Sequence, residues 1–361
     1  MLTLLLAFCA LALLAILFWL TDAGRRALRR RWRAWRQRPH RFRVVQRIEH
    51  DETHYSLRLA PLRGRCRSFI AGQYLTVLGP LLPAGNHAER RYSLDHWEGT
   101  PTRYGLTIKK EPMGRVSGWL HETIREGDEL KCRLPEGDFI LPDMNDQMPI
   151  VLVAAGVGIT PLRAMIHALH ARGHGGRITL FFTARSRSGL IYHQEFEHLA
   201  SEWPSFDYCP RLTGHDDQWS GETGRFTASD LVAHDNGSTH YLFCTSHAMI
   251  EALSEGLRDL CVPRSRIHYE LFASSAGLCG NFTMTVGEAE FPVEGYPNLL
   301  AAMETHAVAA VSDCRAGHCG LCRRRLASGN VEHGPGLACA LGAGEFLPCI
   351  AVPTSDIRVA A

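Results

Sequence analysis

Three cysteines crowd one short stretch, "DCRAGHCGLC" at Asp313–Cys322, with the spacing C-x4-C-x2-C at Cys314, Cys319 and Cys322. Thiols that close suit a disulfide, a zinc site or an electron-carrying cluster. The two C-x2-C knuckles of common zinc ribbons are missing. The spacing is the one that holds plant-type [2Fe–2S] clusters, and it requires a distant fourth thiolate. Cys349, in "EFLPCIAVP", supplies that thiol 27 positions after Cys322. Gly317 and Gly320 let the loop wrap closely and aim backbone N–H groups at inorganic sulfide, and such bonds help set the potential. Cys9, Cys66, Cys132, Cys209, Cys261, Cys279 and Cys339 show no ligand spacing and read as small buried or idle thiols.

A second set of residues fits flat rings and phosphates. "ERRYSL" carries Arg90, Tyr92 and Ser93, and "MGRVSGWL" follows with Gly114, Val116 and Ser117 at a predicted helix start. A glycine, a hydroxyl and free helix N–H groups make a seat for a pyrophosphate. An arginine pairs with the same phosphates, and a tyrosine stacks on a flat ring. Together they predict a flavin dinucleotide, FAD. "AAGVGITPLRAM" then places Gly156 and Gly158 between a buried strand and a helix that opens at Thr160-Pro161, a strand-to-helix turn suited to a second dinucleotide. It departs from the G-x-G-x-x-G fingerprint. After the next strand, where an acid would take the ribose 2′-OH of NADH, stands "TARSRSG". Arg185 and Arg187 there lean toward the 2′-phosphate of NADPH. Cys244, in "YLFCTSHAM", ends a predicted parallel strand, where such sheets place ligands. His167, His170 and His174 lie along one helix and its end without an acid at zincin spacing, and read as surface residues.

The elements that must position these residues change texture along the chain. From about residue 41 to 144, short strands broken by Gly and Pro ("RFRVVQRIEH", "HYSLRLAP", "QYLTVLGP", "RYGLTIKKE") predict a small antiparallel barrel with one helix. From 145 to 273, strands and helices alternate, as in a parallel sheet covered by helices. Residues 274–281 read as a linker, and 282–361 as short strands around the cysteine loop.

Ahead of these lies Leu2–Leu20, "LTLLLAFCALALLAILFWL", an uncharged run that spans about 28 Å as a helix, close to bilayer thickness. Residues 21–40 form a basic juxtamembrane segment. Residues 1–43 hold ten arginines against the single acid Asp22, leaving 29 basic and 36 acidic side chains in the rest. No basic segment precedes the apolar run and no small-residue cleavage pattern follows it, so a retained anchor is expected in place of a signal peptide. The positive-inside rule puts the body in the cytoplasm, anchored once in the inner (cytoplasmic) membrane. Cytoplasmic cysteines are not expected to form structural disulfides. An acidic body on a basic collar suits a membrane surface and argues against nucleic acid. It also favours an acceptor with a basic docking face.

In order along the chain, R-x-Y-S, G-x-x-S, G-x-G-I-T-P and C-x4-C-x2-C…C resemble the ferredoxin–NADP+ reductase superfamily. More narrowly, the chain resembles its oxygenase-reductase type with a C-terminal ferredoxin domain. The resemblance implies a multidomain chain with an antiparallel β-barrel flavin domain, an α/β parallel-sheet NAD(P) domain and a β-grasp ferredoxin domain, here behind a transmembrane helix. It implies that Arg90 touches the flavin phosphates, Tyr92 stacks on the isoalloxazine and Ser93 bonds near flavin N5. Gly114 to Ser117 would bind pyrophosphate, and Gly156, Gly158 and Thr160 would line the nucleotide phosphates. Cys244 matches the cysteine beside the nicotinamide, though the usual C-G-P reads Cys244-Thr245-Ser246 here. Glu270 and Phe272 match the E-x-F that ends the reductase domain. The implied activity is electron transfer from NADPH or NADH through FAD and the [2Fe–2S] cluster to an oxygenase, hydroxylase, desaturase or hybrid-cluster protein. A quinone-reducing respiratory subunit and a cluster-based redox sensor are the alternatives. The first is disfavoured by domain order, because its ferredoxin precedes the flavin domain.

Overall fold

The computed structural model describes residues 38–81, 87–111, 114–143, 145–271, 278, 280–294, 296, 298–312, 317, 320–333 and 339–360. The apolar run 2–20, the collar up to residue 37, Phe272, and the cluster cysteines Cys314 and Cys319 lie outside them. Among the described residues no helix is long and apolar enough to cross a membrane.

Six antiparallel strands build the first unit: β1 (His40–Glu49), β2 (His54–Pro61), β3 (Tyr74–Leu81), β4 (His87–Ser93), β5 (Tyr104–Lys109) and β6 (Glu129–Glu136). Their order is β4-β3-β6-β1-β2-β5, and a bridge between Leu94 and Leu106 joins the two edges into a barrel. Closure leaves no open edge and buries alternate side chains. Val44, Leu57, Leu75, Val77, Leu106 and Ile108 fill the interior. Helix α1 (Arg115–Thr123) packs Val116 and Leu120 into that same core.

The second unit is a parallel sheet of β7 (Ile150–Ala155), β8 (Ile178–Ala184), β9 (Phe206–Leu212), β10 (His240–Thr245) and β11 (Ile267–Leu271), ordered β11-β10-β7-β8-β9. Helices α2 (Ile159–Ala171), α3 (His193–Glu202), α4 (Ala228–Val232) and α5 (His247–Asp259) accompany it, and buried clusters lie on both of its faces. The near-continuous apolar runs of β7, β8 and β10 follow from burial on two sides. β9, "FDYCPRL", shows no such run. It is an edge strand, where Pro210 is tolerated because one side needs no ladder donor.

The C-terminal unit holds β12 (Thr283–Val286), β13 (Ala289–Pro292), helix α6 (Leu299–Thr305), β14 (Arg324–Ser328), β15 (Val331–His333), β16 (Glu345–Phe346), β17 (Ala351–Pro353) and β18 (Ile357–Val359). The main sheet runs β13-β12-β18-β14-β16 with β12 and β18 parallel. Met303 and Leu299 of α6 pack on Met284, Phe346 and Ile357. Leu278 packs there too, and its N–H donates to Tyr296 O at 2.6 Å, so this residue of the predicted linker sits in the unit's core.

Candidate active site and cluster site

Strand order in the parallel sheet reverses at β7, so the chain leaves β7 and β10 on opposite sides and opens a crevice at their carboxyl ends. Gly156–Gly158 turns there, with Gly156 at φ +51. A Cβ on Gly158 would stand 2.0 Å from the Cys244 carbonyl oxygen, so only glycine lets this turn lie against β10. Thr160 is buried, and its hydroxyl donates to Val157 O at 3.0 Å. Cys244 is fully buried and in register with Ala154 on one side and Glu270 on the other.

Ser93, at the end of barrel strand β4, donates to Glu270 Oε2 at 3.4 Å across the boundary between the two units. Ser93, Cys244 and Glu270 thus meet at one place from three strands. Burial raises the Glu270 carboxyl to about 8 against the opposing pull of the Ser93 bond and Arg91, and burial pushes the Cys244 thiol well up. Tyr92 is half-buried one residue before Ser93, and its hydroxyl is buried without a hydrogen-bond partner among the described residues. An orphaned phenol beside that centre fits a bound flavin, because a buried hydroxyl left unpaired is costly. Arg90 is half-buried on the same strand.

No side chain caps the N-terminus of α1, leaving its first-turn N–H groups for a ligand. A Cβ on Gly114 would fall 2.1 Å from Ser117 Oγ, so glycine permits this tight entry. Ser117 Oγ accepts from the Glu111 N–H at 3.2 Å and donates to Gly114 O at 3.3 Å, while Val116 points into the barrel core. Arg185 and Arg187 are exposed after β8, one strand beyond the β7–β10 crevice and outside the Ser93 centre. Arg187 borders a cavity of about 900 Å³ that His193, Arg211 and Trp219 also line.

A polar latch joins barrel and sheet beside this centre. Asp95, two residues after Ser93, is fully buried and accepts twice from Arg58 Nη1 of the barrel at 2.9 Å. Arg163, one turn into α2 from Thr160, donates to Asp95 O at 2.7 Å and grips Glu195 through Nε and Nη2 at 2.8–3.0 Å. Tyr192 holds a left-handed backbone, φ 68, and from there its hydroxyl meets Ser56, Thr107 and Asp95 of the barrel. Burial opposes ionisation of Asp95, but Arg58 and Arg163 outweigh it and hold the carboxyl below its usual range. Burial likewise opposes Glu195, yet His167 and Arg163 bring it down to about 2. His167 bonds Glu195 at 2.7 Å, and His174 is buried with its ring on Met148 O at 3.0 Å. His174 corrects the surface reading, and His167 is half-buried against Glu195. His170 is exposed.

In the C-terminal unit Cys322 and Cys349 are buried, with their sulfurs 3.3 Å apart and no disulfide between them. The hydrogen bond to Cys349 comes first among the influences that lower the Cys322 thiol, to about 7. Two buried thiols brought together from 27 residues apart suit a thiolate-ligated cluster.

Comparison with known proteins accords with this division. The family model for "Oxidoreductase NAD-binding domain" matches residues 152–255, and that for "2Fe-2S iron-sulfur cluster binding domain" matches residues 284–354. The glycine betaine monooxygenase reductase subunit of Pseudomonas aeruginosa is 28% identical over 321 residues, 81% of this chain and 87% of that protein. The chain belongs to the ferredoxin–NADP+ reductase superfamily, in its arrangement with a C-terminal [2Fe–2S] ferredoxin domain. The flavohemoprotein of Bordetella pertussis is 31% identical over 255 residues, which are 67% of this chain but 62% of that protein's length. Among solved structures, phthalate dioxygenase reductase shares the fold with TM-score 0.67 at 23% identity, covering 90% of this chain and 98% of its own. FAD, a pyridine nucleotide and a [2Fe–2S] cluster are the cofactors of this superfamily arrangement.

Sequence reasoning missed the latch, because Asp95, Arg58, Arg163, Tyr192 and Glu195 form no motif. The available signals were an acid directly after R-x-Y-S-L and an arginine inside an apolar helix face, neither of which names its partner.

Proposed function

We propose that the chain is the reductase component of an oxygenase system, moving electrons from NAD(P)H through FAD and a [2Fe–2S] cluster to an acceptor protein. When bound, the flavin converts a two-electron hydride into single electrons and the cluster carries them onward. The convergence of Ser93, Cys244 and Glu270 at the β7–β10 crevice carries this reading.

The residues divide the work. Ser93 presents its hydroxyl to flavin N5, with Glu270 fixing its direction. Cys244 packs beside the nicotinamide and excludes water. Tyr92 covers the isoalloxazine face, Arg90 and the α1 N-terminus (Gly114, Val116, Ser117) hold the flavin pyrophosphate, and Gly156, Gly158 and Thr160 hold the nucleotide phosphates. Arg185 and Arg187 favour NADPH. Cys314, Cys319, Cys322 and Cys349 ligate the cluster. The divisions 41–144, 145–273 and 282–361 are part of the same reading. So is residues 2–20 acting as a membrane helix, with the body on the cytoplasmic side and the acceptor at the membrane.

An anaerobic titration with NADPH and with NADH tests this, following flavin bleaching optically and the reduced cluster by low-temperature EPR. Bleaching followed by a [2Fe–2S] signal is the expected result, at lower NADPH than NADH. Bleaching without a cluster signal would reduce the reading to a simple flavin reductase.

A further inference from the structure

The start of β1 lies in a field of one sign. The segments 38–43 and 61–70 contain six arginines and no acid. Along β1, Phe42 and Val44 point into the barrel core, so Arg41 and Arg43 alternate outward, and both are exposed. Arg41 is in register with Lys131 of β6, and Arg43 with Glu129, and residues paired in this way share a face. Arg41, Arg43 and Lys131 therefore stand on one outer wall, with Glu129 as the ion-pair partner of both arginines. On the other flank, Pro61 of β2 is in register with Phe42, and the Leu62 N–H donates to Arg41 O at 3.1 Å. The chain leaving β2 thus carries Arg63, Arg65 and Arg67, all exposed, past the same end of β1. Cys66 packs against the barrel core, and the Tyr104 hydroxyl holds the Arg67 backbone, accepting from its N–H at 2.7 Å and donating to its carbonyl at 2.9 Å. Burial lowers the proton affinity of His40, the first residue of β1, and the nearby Arg67 charge lowers it further.

Residues 21–37, directly before this ground, hold seven arginines and the single acid Asp22. A segment of the same sign is repelled from the wall, so the collar does not serve as its cover. Only residues 21–39 separate the apolar run from β1, a reach of at most about 70 Å even when fully extended. We propose that this wall and loop, Arg41, Arg43, Lys131, Arg63, Arg65 and Arg67, dock on an anionic lipid leaflet and lay the barrel on the membrane beside its anchor. The proposal rests on the membrane-helix reading above. Lys and Arg side chains beside a membrane helix are drawn to anionic headgroups over about a Debye length. Untethered, such a face adheres weakly, and the anchor supplies the effective concentration that makes the contact persist. The C-terminal unit is joined to the barrel elsewhere: Arg115 of α1 donates to Thr305 of α6 at 2.6 Å, and α1 packs on β3 and β4.

The test uses the full-length holoprotein in nanodiscs of phosphatidylcholine, with or without phosphatidylglycerol, and reads phenylglyoxal modification of each arginine by mass spectrometry. Arg41, Arg63 and Arg65 are expected to react at least about five-fold more slowly in the anionic discs, and about 0.5 M salt is expected to remove the difference. Arg63→Gln/Arg65→Gln/Lys131→Gln is expected to lose the difference at Arg41 and Arg67. The charge-matched Arg225→Gln/Arg258→Gln/Arg358→Gln, at exposed positions of the other two units, is expected to keep it. Equal rates in the two discs would overturn the proposal, and protection by added cytochrome b5 under those conditions would give the face to an acidic protein. A chain that enters neither disc would sink the membrane-helix reading alone. The same modification rates with and without phosphatidylglycerol vesicles would then decide the basic wall, equal rates again overturning it.

Discussion

Glu270 shows at the scale of one residue how a buried site sets its own proton affinity. Burial raises its carboxyl from 4.5 to about 8, so between those values the folded protein keeps a proton that the unfolded chain has released. Stability contributed here is complete below pH 4.5, declines as pH rises through the window, and levels off above 8, by at most about 1.4 kcal/mol per pH unit. Glu270→Gln is expected to unfold like wild type at pH 5 and to be the more stable protein at pH 8.5, measured by denaturant melts of flavin-free protein. A wild-type advantage at pH 8.5 would mean that Glu270 is ionised and paired when folded. Ser93 belongs to the same pair, and its bond to Glu270 links the barrel strand to the last strand of the nucleotide domain.

Helices and strands turn such residues into a site. The turn after β7 approaches β10 so closely that Gly158→Ala would place a Cβ against the Cys244 carbonyl at 2.0 Å, a backbone contact that cannot yield without moving a strand. The variant is expected to keep its flavin spectrum and lose nucleotide affinity by at least about ten-fold, about 1.4 kcal/mol. Unchanged affinity, from flavin bleaching against NADPH concentration, would remove this turn from the site. The Asp95 latch links the seat of Ser93 to the helix that opens at Thr160. Asp95→Ala leaves Arg58 and Arg163 buried without their shared carboxylate, and is expected to destabilise the protein by about 3–5 kcal/mol. Asp95→Asn, which keeps the shape and an acceptor, should lose less. If the latch also aligns the two domains, the long-wavelength absorbance of the nucleotide–flavin contact will weaken in Asp95→Asn even at temperatures where it is fully folded.

Over the whole molecule, an N-terminal apolar run and a basic collar precede the barrel, the parallel-sheet unit and the C-terminal unit. The full chain is expected to pellet with membranes and to need detergent for release. The same chain beginning at residue 38 should stay in the supernatant and retain NADPH-driven flavin bleaching, because every described element starts after that point. Release of the full chain by salt alone would show that the collar adheres electrostatically without an inserted helix.

How much of this was legible in the sequence depends on the range over which each feature is encoded. Strand alternation, continuous apolar runs and the glycine turn are local patterns, and they specified the barrel and the parallel sheet, while the cysteine spacing is a local pattern that raises the cluster loop as an expectation. β9 escaped because an edge strand needs neither an apolar run nor an unbroken ladder. The cysteine loop announced a fourth ligand, but only folding brought Cys349 within 3.3 Å of Cys322. Ser93 and Glu270 are 177 positions apart, and the latch joins side chains 68 and 32 positions apart through one arginine. Polar pairs of that kind have no period. Their energy comes from burial and from directed bonds that exist only once two domains have packed, so the tertiary structure alone decided which charges would meet.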